Sequence, residues 1–162
     1  MRSSPSARKI ITLPRLRNAV RRAKARGKRV VFTNGCFDLL HAGHVTVLER
    51  AKRYGDLLIV GLNSDRSVRA LKGPGRPVIS ARDRARLLAA LTPVDYVVIF
   101  NERTPQRIIS RLVPDVLIKG ADWAAGAIVG TEAVRHAGGR IIRFPLVKGY
   151  NTSKILARIR KR

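Results

Sequence analysis

Residues 37–44 read Phe37-Asp38-Leu39-Leu40-His41-Ala42-Gly43-His44, close behind the apolar run Val30-Val31-Phe32. The spacing predicts a strand that gives way to a helix, with two imidazoles one helical turn apart at the junction. A helix start carries unpaired backbone N–H groups and a partial positive charge. Imidazole donors added there make a site shaped for phosphate oxygens. Gly35 permits a tight turn after the strand, and Gly43 permits close approach to the backbone. The simpler readings are a surface histidine pair or a metal pair. With three histidines and one cysteine in the chain, a zinc site lacks ligands. No protein-held metal is expected. The unit points to nucleotide chemistry.

The same alternation continues outward. Residues 14–26 have a helical pattern through Leu16, Val20 and Ala23, with Gly27 as the stop. Residues 57–62 form a continuous apolar run, as in a strand buried on both faces. Residues 67–79 read as a loop, and Ser80 as the cap of a helix ending near Leu91. Residues 96–100, 116–119 and 140–144 read as further strands. Helices are predicted from Thr104 to before Pro114, over 129–137, and from Thr152 or Ser153 to about Arg160. The fold class predicted is α/β: a Rossmann-like, doubly wound, parallel five-stranded sheet with helices on both faces. Residues 1–27 are expected to form a basic tail and helix, with residues 1–10 loose. The domain proper is expected over 28–162. In such sheets ligands bind beyond the carboxyl ends of the strands.

The chain has 162 residues, 45% of them hydrophobic, enough for one core. No apolar run approaches the ~20 residues that a membrane helix needs. The basic, polar N-terminus argues against a secretory signal. The single Cys36 forms no internal disulfide, so a cytoplasmic location is expected. Lys and Arg number 34 against 10 Asp and Glu, a net +24. A field of that sign attracts polyanions. Aromatic residues are only 5%, so stacking platforms for nucleic acid are scarce. A solvated basic surface and a preference for small phosphates remain the other readings.

Three further clusters suit phosphate or base binding. Lys72 lies in Lys72-Gly73-Pro74-Gly75-Arg76-Pro77, where a flexible cation can neutralise a phosphoryl group in transit. The alternative is one more solvated lysine. Thr152 and Ser153 offer hydroxyls at a helix start, which is also what an ordinary N-cap looks like. Gly120-Ala121-Asp122-Trp123 follows a strand and can hold a base through its backbone, unless Trp123 is simply packing. Arg84 sits in a first helical turn, a poor place for a cation, which suggests an anionic partner.

The segment from Gly35 to His44, reading Gly35-Cys36-Phe37-Asp38-Leu39-Leu40-His41-Ala42-Gly43-His44, resembles the signature of the cytidylyltransferase-like nucleotidyltransferases. Thr33-Asn34-Gly35-Cys36-Phe37-Asp38, Gly61-Leu62-Asn63-Ser64-Asp65 and the Lys72 to Pro77 string make it more similar to the D-glycero-β-D-manno-heptose 1-phosphate adenylyltransferases. Those enzymes make ADP-heptose for lipopolysaccharide core or related glycans. The resemblance covers roughly residues 27–158. In many bacteria this domain is fused to a sugar kinase, and the chain is expected to be the stand-alone form.

The resemblance implies the following roles. His41, His44 and Lys72 are catalytic, the histidines on the ATP phosphates and Lys72 on the α-phosphate and the incoming sugar phosphate. Gly35, Cys36, Phe37, Gly43, Gly120, Asp122, Trp123, Thr152 and Ser153 bind the nucleotide. Asp38, Asn63 and Arg84 face the sugar phosphate. ATP is the co-substrate and Mg²⁺ bridges its phosphates. A homo-oligomer, by analogy a dimer, is expected, with no membrane or nucleic-acid partner. The family's last motif usually reads Ser-Thr-Thr, where this chain has Tyr150-Asn151-Thr152-Ser153. Two readings compete: a cytidylyltransferase for glycerol phosphate or ethanolamine phosphate, and a non-enzymatic basic module that binds nucleic acid.

Overall fold

The structure, a computed structural model, describes residues 4–121, 128–145, 147, 149, 150 and 152–160. Five parallel strands form one sheet: β1 (Val30–Gly35), β2 (Leu57–Asn63), β3 (Tyr96–Phe100), β4 (Val116–Gly120) and β5 (Arg140–Phe144). Their order is β3-β2-β1-β4-β5. The chain moves outward from β1 to β3, returns to the other side of β1, and moves outward again to β5. The reversal lies between β1 and β4, which pair from Val31 opposite Val116 to Thr33 opposite Ile118.

Successive residues of a strand face opposite sides, and here both sides are apolar. One layer joins Val31, Leu58, Val60, Leu62, Val97, Val116 and Ile118 to helix α2 (Ala42–Lys52) and helix α4 (Ala81–Ala90). The other joins Val30, Phe32, Ile59, Val98 and Leu117 to α1 (Leu13–Ala25), α5 (Gln106–Leu112) and α6 (Thr131–His136). This is the doubly wound α/β sheet that the alternating pattern predicts. Two further helices, α3 (Asp65–Lys72) and α7 (Thr152–Arg160), follow β2 and β5.

The amino ends of the strands are tied down by aspartates. Asp115 accepts the Val30 N–H at 2.7 Å, Asp95 that of Leu58 at 2.7 Å, and Asp56 that of Arg29 at 2.8 Å. Each also pairs with a lysine: Lys24, Lys52 and Lys28 in turn. These acids therefore sit away from the carboxyl ends, where the candidate site residues gather.

Two expectations need correction. Residues 67–79 are not all loop: Asp65–Lys72 is a helix, capped by Ser64 Oγ accepting from the Ser67 N–H at 3.2 Å. Among the described residues the N-terminal segment is not loose, because Ala7–Lys9 form a 3₁₀ turn and Ile10 bridges to Val97. The Ile11 N–H donates to the Val97 carbonyl at 3.0 Å. Leu16 and Val20 of α1 lie in the core.

Candidate active site

The β1–α2 turn is built on a backbone that most residues avoid. Phe37 has φ 44°, left-handed for a side chain with a Cβ. Its ring lies against Gly35, where an added Cβ would stand 3.1 Å from it. The turn ends at His41, which is the N-cap of α2. His44 is then its third residue. The two imidazoles stack at 3.7 Å between centroids with planes 14° apart. Both Nδ1 atoms are buried without a hydrogen-bond partner in the described structure.

Buried polar atoms normally have partners, and orphaned ones concentrate where a ligand completes them. Burial, joined by repulsion from His41, lowers the His44 pKa to about 4. Burial lowers His41 too. Both rings are therefore neutral at pH 7. Neutral imidazoles donate hydrogen bonds and can take up a proton when an anion arrives.

Arg84 shapes the floor of the site. It is 1% exposed and makes four hydrogen bonds. Its Nε donates to the Ile79 carbonyl at 2.9 Å and its Nη2 to Asp65 at 2.7 Å. Its Nη1 donates to the carbonyls of Cys36 and Asn63. Asp38, its side chain 1% exposed, binds Arg76 and accepts the N–H groups of Val78 and Ile79 at 2.7 and 3.2 Å. Burial pushes the Asp38 carboxyl up, but these hydrogen bonds outweigh it and hold its pKa below the usual range. Asn63 is buried and donates to Ser67 Oγ at 2.9 Å. Asp38, Asn63 and Arg84 are all buried and engaged with the protein's own groups, and they brace the β1–α2 turn, the β2 end and the 73–79 loop together.

Lys72 is exposed on the last turn of α3, and its charge reaches the Cys36 thiol. Burial pushes that thiol up, opposed by Lys72 and Arg84. Thr152 begins α7, and its Oγ1 donates to the Leu39 carbonyl at 3.5 Å. The starts of α2 and α7 thus converge. Ser153 is exposed in the first turn of α7. Gly120 ends β4 beside the reversal point, while Asp122 and Trp123 lie outside the described residues. Gly43 turns out to admit the protein itself, since a Cβ there would stand 2.8 Å from Tyr150 Cβ.

Three participants escaped sequence reasoning. Arg76 anchors Asp38. Buried Lys119 donates to Asn34 Oδ1 across β1 and β4, and the signal for it was a charge closing the apolar run Val116-Leu117-Ile118. Tyr150 packs on His41. Two concavities lie elsewhere: about 550 Å³ around Lys24, Lys28, Arg29 and Arg140, and about 700 Å³ around Gln106, Ile128 and Arg135. Neither contains His41, His44 or Lys72, so the chemistry and not the volume locates the site.

A family model described as cytidylyltransferase-like matches residues 32–155, from inside β1 into α7. The chain belongs to the cytidylyltransferase-like family. As a member it is a nucleotidyltransferase. Among its relatives is the bifunctional protein HldE of Syntrophotalea carbinolica, 54% identical over 89% of this chain and 29% of that protein. The HldE of Geotalea uraniireducens is 54% identical over 94% of this chain and 31% of that protein. The chain spans about three tenths of the length of these curated relatives. Among solved structures, the lipopolysaccharide core biosynthesis protein of Thermoplasma volcanium superposes with a TM-score of 0.61. It is 24% identical and covers 77% of this chain and 100% of its own. Pantoate-beta-alanine ligase from Francisella tularensis superposes at 0.59 with 14% identity, over 84% of this chain and 66% of its own. These two likenesses concern the fold. Among the described residues no helix is long and apolar enough to cross a membrane.

Proposed function

We propose that this cytidylyltransferase-like chain transfers the adenylyl group of ATP to D-glycero-β-D-manno-heptose 1-phosphate, giving ADP-heptose and pyrophosphate. The observation that carries the reading is the stacked, neutral His41–His44 pair, its Nδ1 atoms unpartnered, at the start of α2 beside the start of α7. The motifs around Asn34, Asn63 and Lys72 support the sugar, as does the likeness to the HldE proteins.

On this reading a sugar phosphate oxygen attacks the α-phosphorus of ATP in line, and the bond to the bridging oxygen breaks as pyrophosphate leaves. The attacking group is already an anion, so no strong base is needed. The task is to hold two anions together and spread the developing charge. His41 and His44 donate to the triphosphate. Lys72 approaches the α-phosphate and the incoming phosphate. Thr152 and Ser153 donate at the start of α7, and Gly120, Asp122 and Trp123 hold the base. Gly35, Cys36 and Phe37 shape the turn. Asp38, Asn63 and Arg84 act by holding that turn and the 73–79 loop.

Among the described residues no three His, Cys, Asp or Glu side chains gather in a metal-holding group. On this reading magnesium enters with the nucleotide. On this reading the protein works in the cytoplasm and, by analogy with relatives of the fold, as a homodimer.

The test is pyrophosphate release with ATP or CTP crossed against heptose 1-phosphate, glycerol 3-phosphate and a hexose 1-phosphate. Release only with ATP and heptose 1-phosphate is expected. Release with CTP and a polyol phosphate would keep the mechanism and overturn the substrate. Silence with every pair, together with salt-sensitive binding to RNA or DNA, would overturn the enzymatic reading.

A further inference from the structure

The segment before α7 meets the histidine pair through the side chain of Tyr150. The Tyr150 ring lies 5.8 Å from that of His41 with planes 23° apart. His41 also stacks on His44 at 3.7 Å, and His44 meets Phe37 at 5.1 Å with the rings tilted by 60°. The four rings form one column, Tyr150–His41–His44–Phe37, spanning two loops. Gly43 makes the column possible, because any Cβ there would stand 2.8 Å from Tyr150 Cβ and 3.1 Å from His41 Nδ1. Tyr150 is 48% exposed, so core burial does not account for its place.

Resting on the nucleotidyltransferase reading of the site, we propose that Tyr150 is a positioning residue, whose ring holds the His41 imidazole against His44 and couples the start of α7 to the start of α2. The reason is mechanical. The Cβ–Cγ torsion of a histidine is soft, and the buried Nδ1 of His41 has no hydrogen-bond partner in the described structure to fix it. Packing against His44 and Tyr150 does so. Without Tyr150, His41 turns toward solvent. The same cover keeps water from the ring, in line with the lowered His41 pKa.

The test follows histidine ring signals by NMR through a pH titration of the whole chain, with steady-state kinetics alongside. Tyr150→Phe keeps the ring and should match the parent in both. Tyr150→Ala should raise the His41 midpoint toward its ordinary value. It should also lower kcat by about ten- to a hundredfold, the scale of an ångström-sized misplacement, with a smaller change in the KM for ATP. His136, at the end of α6, is the control signal. Should Tyr150→Ala fail to fold, Tyr150→Leu carries the same test. An unmoved His41 midpoint with unchanged kcat overturns the proposal. So does an equal loss in Tyr150→Phe, which would assign the role to the hydroxyl. If His41→Ala and His44→Ala both leave turnover intact, the catalytic reading fails, while the NMR midpoint still decides the contact.

Discussion

His44 combines two properties that ordinarily conflict: it is depleted of water, and it is proposed to serve an anion. Burial and the neighbouring His41 hold it neutral down to about pH 4. An arriving phosphate reverses that balance, because opposite charge favours the imidazolium. Nucleotide binding should therefore take up protons. By linkage, ATP affinity should strengthen as the pH falls from 7 toward 5, which calorimetry in buffers of different ionisation enthalpy would register. Stability moves the other way. The unfolded imidazole protonates near 6.5 and the folded one near 4, so the unfolded state binds more protons between those values. Stability is full above about pH 6.5 and falls by about 2 kcal/mol as the pH drops to 4, a figure discounted for screening of a partly exposed ring. Thermal melts of the parent and His44→Asn across that range would reveal the difference. Replacing either histidine by Ala should cost 10²–10³ in kcat, the usual scale for a lost transition-state donor, while the circular dichroism spectrum stays unchanged. Near-normal turnover in both would falsify their catalytic role.

At the scale of elements, the site depends on three segments braced by two buried charges. Arg84 connects α4 to the ends of β1 and β2 and to the start of α3, and Asp38 connects the β1–α2 turn to the 73–79 loop. Arg84→Ala leaves Asp65 and three carbonyls without their donor. It should destabilise the chain by about 2–4 kcal/mol, since the carbonyls of Ile79, Cys36 and Asn63 lose a charged donor while half-exposed Asp65 turns to water. Arg84→Lys should recover little, since an ammonium cannot reproduce the guanidinium fork. Denaturant melts check both. Arg84 read as a cation in need of an anion, and Asp65 is one, but the carbonyls of Cys36 and Asn63 that share its guanidinium become neighbours only once β1 and β2 are paired. Helix α3 was illegible for a related reason. It is eight residues long with its buried face reduced to Ser67 and Val68, and the Gly/Pro-rich string behind it read as loop. The strands, by contrast, announced themselves: apolar runs such as Leu57 to Leu62 leave few other places to go. The His41–His44 pair was legible because both its members lie in one local turn. Lys119 with Asn34, and Tyr150 with His41, unite residues far apart in the chain, and no local pattern encodes them.

For the molecule as a whole, the sheet divides labour between its two ends. Three aspartates fasten the amino ends with lysine partners, and His41, His44, Gly120 and Thr152 gather toward the other. The sheet also has two sides where pairing stops, β3 and β5. The free rim of a strand is a template on which another chain can add. Strand β3 reads Tyr96-Val97-Val98-Ile99-Phe100, with Ile99 40% exposed, and it contains no charge to repel an incoming strand. What covers it is the contact of Ile10 and Ile11 with Val97. β5 needs no such cover, since Arg140 and Arg143 stand exposed on it. Deleting residues 1–11 should therefore leave the histidine column in place and yet yield a protein that self-associates with rising concentration, as light scattering would record. Ile10 and Ile11, far from the chemistry, act as the guard that keeps one copy of the sheet from growing onto the next.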